Sequence, residues 1–424
     1  MHFWTGKTPE YLWLHQVHGD KLVLPYGVLR DILPMVNTDE IKTAFPVAKK
    51  IDYGCKVPLY DYQEKAVEEV YWKQYGILHS PAGSGKTQMG IALIAKLGRR
   101  ALWVCHTKDL LVQSKQRAEQ YMDPSLLGTI TEGQVNIGKG ITFATVQTLC
   151  NLDLAQYKDL WDVIIVDECH RVSGTPTAVS QYFKVLNALA ARHKYGLTAT
   201  VHRSDGLIQA TFALLGDVVY TVPTEAVADK IMKVDICPVP TGIRATRSCL
   251  NPDGTENYTK LIGYLSECEE RNRLIVECIT ADRDKPGLIL SGRLEQLETL
   301  MRMLPSDMQK DAVMVSGNMT TKKGKAEREQ AIADMRTGDK KYLFASYPLA
   351  KEGLDIPCLE RLYMASPVSD FAVVTQAIGR IARTSEGKAD PVVYDFVDDT
   401  PLSVKAYKKR CTTYRKNGCY FVER

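Results

Sequence analysis

Two stretches of this chain repeat one rhythm: a short β-rich apolar run, a turn, then an amphipathic helical segment. In the first stretch residues 76–79, 101–104, 141–144 and 163–166 read as buried strands, and in the second residues 287–290, 312–315, 342–345 and 392–395 do. Near-continuous apolar runs of this length fit parallel strands covered on both faces, since a strand with one wet face would alternate. Helical segments such as residues 296–303 and 326–335 separate the runs. Alternation of this kind means βαβ units and two parallel sheets. An α/β fold is therefore expected. At 424 residues the chain exceeds one ordinary core and suits two domains plus an appendage. The join is placed near residues 234–240, where Pro238 and Pro240 interrupt the pattern. The expected division is a small N-terminal element (1–55), a first parallel-sheet domain (56–235) and a second (236–424).

Composition excludes more than it selects. The hydrophobic share of 45% and charged share of 25% are those of a globular protein, and no uninterrupted apolar run reaches membrane-spanning length. The start, Met1-His2-Phe3-Trp4-Thr5-Gly6-Lys7, lacks a basic region followed by an apolar stretch, so the protein is expected in the cytoplasm with no membrane partner. The 11 cysteines are scattered singly with no Cys-x-x-Cys pair, which favours reduced, buried thiols over zinc or disulfides. A net charge of +4 neither demands nor excludes a nucleic-acid partner. The basic, aromatic end from Lys405 to Arg424 reads as a last helix and strand closing the second domain, with a strand-binding surface as the alternative. Trp4, Trp13 and nearby tyrosines form either a small core, the preferred reading, or a duplex-contacting platform.

Chemistry enters at Ser80-Pro81-Ala82-Gly83-Ser84-Gly85-Lys86-Thr87, which follows an expected strand and opens an expected helix. That is the context of a phosphate-binding P-loop. Gly83 and Gly85 let the backbone of Ala82, Gly83, Ser84 and Gly85 bend so that its N–H groups point at phosphate oxygens. Lys86 would reach the β/γ-phosphates, and the Thr87 hydroxyl would hold Mg²⁺. The strict pattern has Gly where this chain has Ser80. Asp167 and Glu168 end an apolar strand, so in a parallel sheet they emerge on the same edge as the P-loop. Asp167 would ligate Mg²⁺ through water, and Glu168 would polarise the attacking water. The two elements together indicate a nucleoside triphosphatase.

Asp167-Glu168-Cys169-His170 resembles the DExH box of superfamily 2 helicases, and further blocks follow in that family's order. Leu59-Tyr60-Asp61-Tyr62-Gln63 is similar to the adenine-reading motif, which implies Gln63 against the base edge. Tyr60 stands where the family has a basic residue, so adenine preference is loosened, although an aromatic ring can stack on a base. Residues 106–113, with Thr107 and Lys108, resemble motif Ia, and residues 142–149, with Thr145 and Gln147, resemble motif Ib; in the family both touch the strand backbone. Leu197-Thr198-Ala199-Thr200 matches motif III, which implies a coupling role for Thr198 and Thr200. In the second stretch Leu290-Ser291-Gly292-Arg293 resembles motif IV, placing Ser291 and Arg293 on nucleic acid, and Gly353-Leu354-Asp355-Ile356-Pro357 matches motif V, placing Gly353 and Asp355 at the nucleotide. Gln376-Ala377-Ile378-Gly379-Arg380-Ile381-Ala382-Arg383 matches motif VI. It implies catalytic roles for Gln376, Arg380 and Arg383, the two arginines sharing one helix face as phosphate-contacting fingers.

The resemblance covers residues 59–383, most of the chain. It implies two tandem RecA-like domains, ATP and Mg²⁺ as cofactors, and nucleic acid, DNA before RNA, as partner. Branched or forked DNA is the expected substrate, by likeness to compact phage branch-migration and XPB-like helicases and to the motor part of type III restriction enzymes. The alternatives are a duplex translocase within a restriction or remodelling assembly and an ATP-gated RNA remodeller.

Overall fold

A computed structural model describes residues 11–422 apart from 12, 38, 40–44, 46–48, 55, 173–175, 202–207, 228–231, 318, 320, 352–353, 355 and 386. The chain forms two compact units, Met1–Ala226 and Val227–Arg424.

The first unit opens with an antiparallel hairpin of β1 (Gln16–His18) and β2 (Lys21–Val23). Its sheet comprises β3 (Tyr75–His79), β4 (Ala101–Cys105), β5 (Leu127–Thr131), β6 (Gln134–Asn136), β7 (Ile141–Thr145), β8 (Val163–Asp167), β9 (His193–Thr198) and β10 (Val218–Thr221). They lie in the order β10-β3-β9-β8-β4-β7-β5-β6. All neighbours run parallel except β5 and β6. Residues of β3, β4, β7 and β8 are buried almost throughout, which is why these runs read as continuous apolar stretches.

Among the described residues of the segment before this sheet, no core forms around Trp13. Trp13 is 75% exposed, so the expectation of a core built on it is not met, and Trp4 lies outside the described residues. The segment docks instead through Tyr26, whose ring lies 4.8 Å from that of Tyr75 and whose hydroxyl donates to the Arg192 carbonyl. Gly27 sits so close to the helix Ile208–Leu215 that a Cβ would stand 2.3 Å from the Phe212 carbonyl oxygen. Tyr75 begins β3, so this docking occurs at the opposite end of the sheet from the loop that follows His79.

The second unit holds a wholly parallel sheet of β11 (Asp235–Pro240), β12 (Gly287–Ser291), β13 (Ala312–Val315), β14 (Tyr342–Ser346), β15 (Arg361–Met364), β16 (Val392–Val397) and β17 (Tyr420–Phe421). Its order is β13-β14-β12-β15-β16-β11-β17. Leu288, Leu290, Leu343, Ala345, Leu362 and Met364 belong to the core on one face, while Ile289, Phe344, Tyr363 and Tyr394 belong to that on the other. Alternate residues of each strand thus feed two separate cores.

Residues 235–240, where the sequence suggested a join, form a strand despite two prolines. Asp235 and Thr241 donate towards β16, whereas the carbonyls of Val234 and Ile236 accept from β17. In a parallel strand Pro238 and Pro240 therefore point to the β17 side, and β17 pairs only with Asp235 and Ile236. The missing N–H groups fall where no partner strand remains to receive them. The basic end of the chain forms the helix Pro401–Lys416 and β17. Arg410 and Asp395 make a buried bidentate pair at 2.8 and 2.7 Å, which the Tyr414 hydroxyl joins at 2.7 Å. Among the described residues no helix is long and apolar enough to cross a membrane.

Candidate active site

The carboxyl ends of β3, β9, β8, β4 and β7, neighbours in the sheet, carry the first-unit candidates side by side. After β3 the chain turns through residues 80–85 into the helix Lys86–Leu97. Gly83 and Gly85 take φ of 81° and 79°, the left-handed region that glycine enters without strain. The first N–H groups of that helix lack intrahelical acceptors and present partial positive charge to an anion. Ser80, in the place of the pattern's glycine, is fully buried and braces the turn. Its N–H donates to the Thr198 carbonyl at 2.9 Å, and its hydroxyl lies 2.5 Å from that of Ser84. Lys86 and Thr87 are half-buried at the helix start, and Ala82 and Gly83 lie in the turn itself.

Gln63 is placed otherwise than the resemblance implied. It is 1% exposed, its Oε1 accepts from the Tyr60 N–H at 3.0 Å, and its Nε2 donates to the Ser84 carbonyl at 2.8 Å. The amide links the start of the helix Asp61–Tyr71 to the phosphate loop. Tyr62 makes a second link, its hydroxyl donating to the same carbonyl at 3.0 Å.

Asp167 closes β8 and is 4% exposed. Burial first, and then the charge of Glu168, push its carboxyl up to about 6, while Lys86 and a hydrogen bond from Ser114 pull the other way. Its Oδ2 accepts from the Ser114 hydroxyl at 3.2 Å and its Oδ1 from the Glu168 N–H at 2.9 Å. Glu168 sits at φ 47° and ψ 50°, a left-handed conformation costing a non-glycine residue roughly 1–2 kcal/mol. Strain of this kind concentrates at functional sites. A buried acid that resists ionisation, next to a second acid and a lysine, suits a divalent cation, whose charge would relieve the repulsion. The glycine turn, helix start and Lys86 likewise fit a polyphosphate.

His170 links these acids to motif III. Its Nδ1 lies 3.3 Å from Glu168 Oε2 and 3.0 Å from Thr198 Oγ1. Thr198 Oγ1 in turn donates to the Thr200 carbonyl and accepts from the Thr200 N–H, both at 3.0 Å.

The residues expected on nucleic acid divide by exposure. Lys108 is exposed and paired with Glu132 at 2.7 Å. Thr107 caps the helix Lys108–Glu119 by accepting from Leu110, and the buried Thr145 bonds the Thr148 hydroxyl at 2.9 Å. Gln147 and Arg293 are half-buried. Ser291 does not reach a surface: it is fully buried, donates to Gln296 Oε1 at 2.7 Å and accepts from the Arg293 N–H at 3.0 Å. Its hydroxyl thus ties the turn before the helix Leu294–Met303 to a residue within that helix.

In the second unit Gln376 and Arg380 lie on the helix Phe371–Ile381, but Arg383 falls beyond its end, so the two arginines do not share a helix face. Gln376 is 8% exposed, and its Oε1 has no hydrogen-bond partner among the described residues. Gly353 and Asp355 lie outside the described residues. Two contributors escaped sequence reading. Ser114 is a polar residue on the buried stripe with Leu111 and Ala118, a spacing that flags it. Lys388 donates to the carbonyls of Pro357, Ile381 and Arg383 at 2.9, 2.7 and 2.7 Å, and burial pushes its ammonium down to about 8. It sits in a turn with no local signal.

Comparison with known families fits this arrangement. A model described as "Type III restriction enzyme, res subunit" matches residues 56–203, and one described as "Helicase conserved C-terminal domain" matches residues 270–385. The chain belongs to superfamily 2 of the helicases. Its two sheets are the tandem RecA-like domains of that superfamily. This superfamily 2 chain is 26% identical over 354 residues to "Putative ATP-dependent RNA helicase L396" of Acanthamoeba polyphaga mimivirus, covering 82% of the chain and 65% of that relative. It is 26% identical over 379 residues to the DNA 3'-5' translocase XPB2 of Sulfurisphaera tokodaii, covering 81% of the chain and 82% of that relative. The fold is also that of S. cerevisiae Dbp5 bound to RNA and ADP BeF3, at a TM-score of 0.59 and 17% identity over 94% of each chain.

Proposed function

We propose that the chain is an ATP-dependent helicase or translocase acting on nucleic acid, with branched or forked DNA as the preferred substrate, in the cytoplasm. One observation carries the reading: Lys86, Asp167 and Glu168 gather at one sheet edge, and His170 ties them to Thr198. A polyphosphate would be held by the turn 80–85 and the start of the helix Lys86–Leu97, with Lys86 neutralising its β/γ end. Thr87 and Asp167 would hold Mg²⁺, which when bound would neutralise charge building on the phosphates. Glu168 polarises the attacking water; Gln376, Arg380 and Arg383 take the catalytic roles, and Gly353 and Asp355 the nucleotide-contacting roles, that the resemblance implies for them. Thr107, Lys108, Thr145, Gln147 and Arg293 contact the strand backbone without reading sequence. Ser291 acts in this scheme only by holding Arg293.

The DNA preference is supported by the name of the archaeal relative, a DNA translocase, and the RNA alternative by that of the mimivirus relative. Measuring ATP hydrolysis with single strands, duplex, forked DNA and RNA decides between them. Forked DNA is expected to stimulate most; strongest stimulation by RNA would replace the DNA reading with an RNA remodeller. Displacement of a triplex-forming strand without unwinding would favour a duplex translocase.

A further inference from the structure

The helix Pro401–Lys416 contains no Asp or Glu. Lys405, Lys408, Lys409, Arg415 and Lys416 are exposed on it, and these five charges alone exceed the chain's net +4. At about 100° per residue they fall within about 120° of arc, with the exposed Thr412 among them, so they line one face. The carboxylates that bond this helix, Asp395, Asp398 and Glu256, reach Arg410, Tyr414, Ser403 and the Leu402 N–H instead, on its buried side and in its first turn. Among the described residues none of the five exposed cations has a carboxylate in ion-pair range. Arg415 and Lys416 lie over the rings of Phe421 and Phe371 at 5.7 and 5.6 Å, which leaves their charge uncancelled. Exposed cations on other helices do find acids: Lys108 pairs with Glu132, Arg273 with Glu269 and Lys323 with Glu327. A face kept only for solubility mixes the two signs in that way.

The neighbouring strands set the direction of the helix. β16 ends at Val397, on the edge where Arg293 follows β12, and β17 begins at Tyr420 beside Asp235, the first residue of β11. The helix therefore runs from the carboxyl edge of the sheet to the amino edge, and its cations form a ridge that starts at the edge carrying Arg293. We propose that this ridge is a second nucleic-acid surface, which holds the phosphate backbone of a duplex without reading sequence and without nucleotide. This rests on the reading of the chain as a nucleic-acid motor. From Lys405 to Lys416 the ridge extends about 17 Å, the axial rise of about five phosphates on one duplex strand. Grooves that hold single strands add aromatic rings on which bases stack. The helix places no aromatic residue between these cations, so the occupant is a duplex, whose bases are already stacked.

The test is equilibrium binding of a blunt duplex DNA, without nucleotide, between about 50 and 200 mM salt, for the wild-type chain and three triple variants. The first carries Lys405→Gln, Lys408→Gln and Lys409→Gln, and the second carries Lys405→Arg, Lys408→Arg and Lys409→Arg. The third removes equal charge from exposed lysines off this helix, by Lys139→Gln, Lys158→Gln and Lys260→Gln. Across this range the wild-type chain is expected to lose about 40-fold more affinity than the first variant, since each phosphate contact contributes about 0.9 to the salt slope. The second and third variants should follow wild type, and strand-independent ATP hydrolysis should be the same in all four. An unchanged slope in the first variant, or an equal change in the third, would overturn the proposal and leave the motor reading standing. Binding to phosphatidylserine vesicles is measured alongside; a loss there in the first variant, with duplex binding unchanged, would give the ridge to a membrane instead. A wild-type chain that binds neither duplex, single strand nor RNA would overturn the motor reading together with the ridge.

Discussion

His170 Nδ1 lies 3.0 Å from Thr198 Oγ1 and 3.3 Å from a carboxylate oxygen of Glu168, so one ring nitrogen bridges the ends of β8 and β9. An N–H there can donate fully to only one of the two. A nucleotide that draws Glu168 towards water would leave the ring to Thr198, whose hydroxyl already holds Thr200. In the proposed mechanism the contact would therefore act as a two-position element between hydrolysis and motif III.

Thr198→Val removes that hydroxyl while keeping the branched shape. Strand-stimulated hydrolysis is expected to fall about tenfold, and strand-independent hydrolysis much less, as a coupling energy of about 1–3 kcal/mol requires. Parallel ATPase assays with and without a strand check this; equal losses in both would make Thr198 a structural residue only.

Asp167 makes a pH-dependent prediction. Its folded-state pKa, raised by burial and Glu168 to about 6, exceeds its ordinary 3.8. The folded chain thus holds a proton that the unfolded chain has shed between these values, so this group's contribution to stability is present below about 3.8 and lost as pH rises through 6. Mg²⁺ must displace the same proton. Calorimetry in buffers of different ionisation enthalpy is expected to find about half a proton released per Mg²⁺ bound at pH 6 and almost none at pH 8.

Lys388→Met should leave the carbonyls of Pro357, Ile381 and Arg383 without their shared donor. A loss of about 1–3 kcal/mol is expected, read by denaturant melting. Because Arg383 lies just past the helix end that Lys388 secures, kcat is expected to fall with little change in nucleotide Kd. Unchanged kcat would separate this turn from catalysis.

Ser291→Ala should leave the buried Gln296 Oε1 without its donor, destabilising by about 1–3 kcal/mol. Strand affinity in a salt titration is expected to match wild type. A drop in affinity without a drop in stability would return Ser291 to the nucleic-acid surface.

These contrasts mark what the sequence could carry. The apolar runs marked β3, β4, β7, β8, β12, β13, β14 and β16, and with them the sheet edge on which Lys86, Asp167 and Glu168 emerge, because strand direction alone sets that; β9 and β15, inside the two sheets, were not read as strands. The partners of a polar side chain were not legible. Gln63 finds Ser84, Ser291 finds Gln296, and Lys388 finds Pro357, each through a turn of chain that no local pattern encodes. The helix face expected to carry both Arg380 and Arg383 is not shared, because the three-residue spacing holds only while the helix continues, and it ends at Ile381. The prolines of β11 read as a break because their harmlessness depends on how short β17 is.

The most direct measurement is ATP turnover of the wild-type chain and of Glu168→Gln, with and without single-stranded, duplex and forked nucleic acid. Wild-type turnover is expected to rise several-fold with at least one strand form, and Glu168→Gln to reduce it about 10²–10⁴-fold under every condition. Hydrolysis indifferent to all nucleic acids, or undiminished in Glu168→Gln, would contradict a nucleic-acid motor built on this pocket.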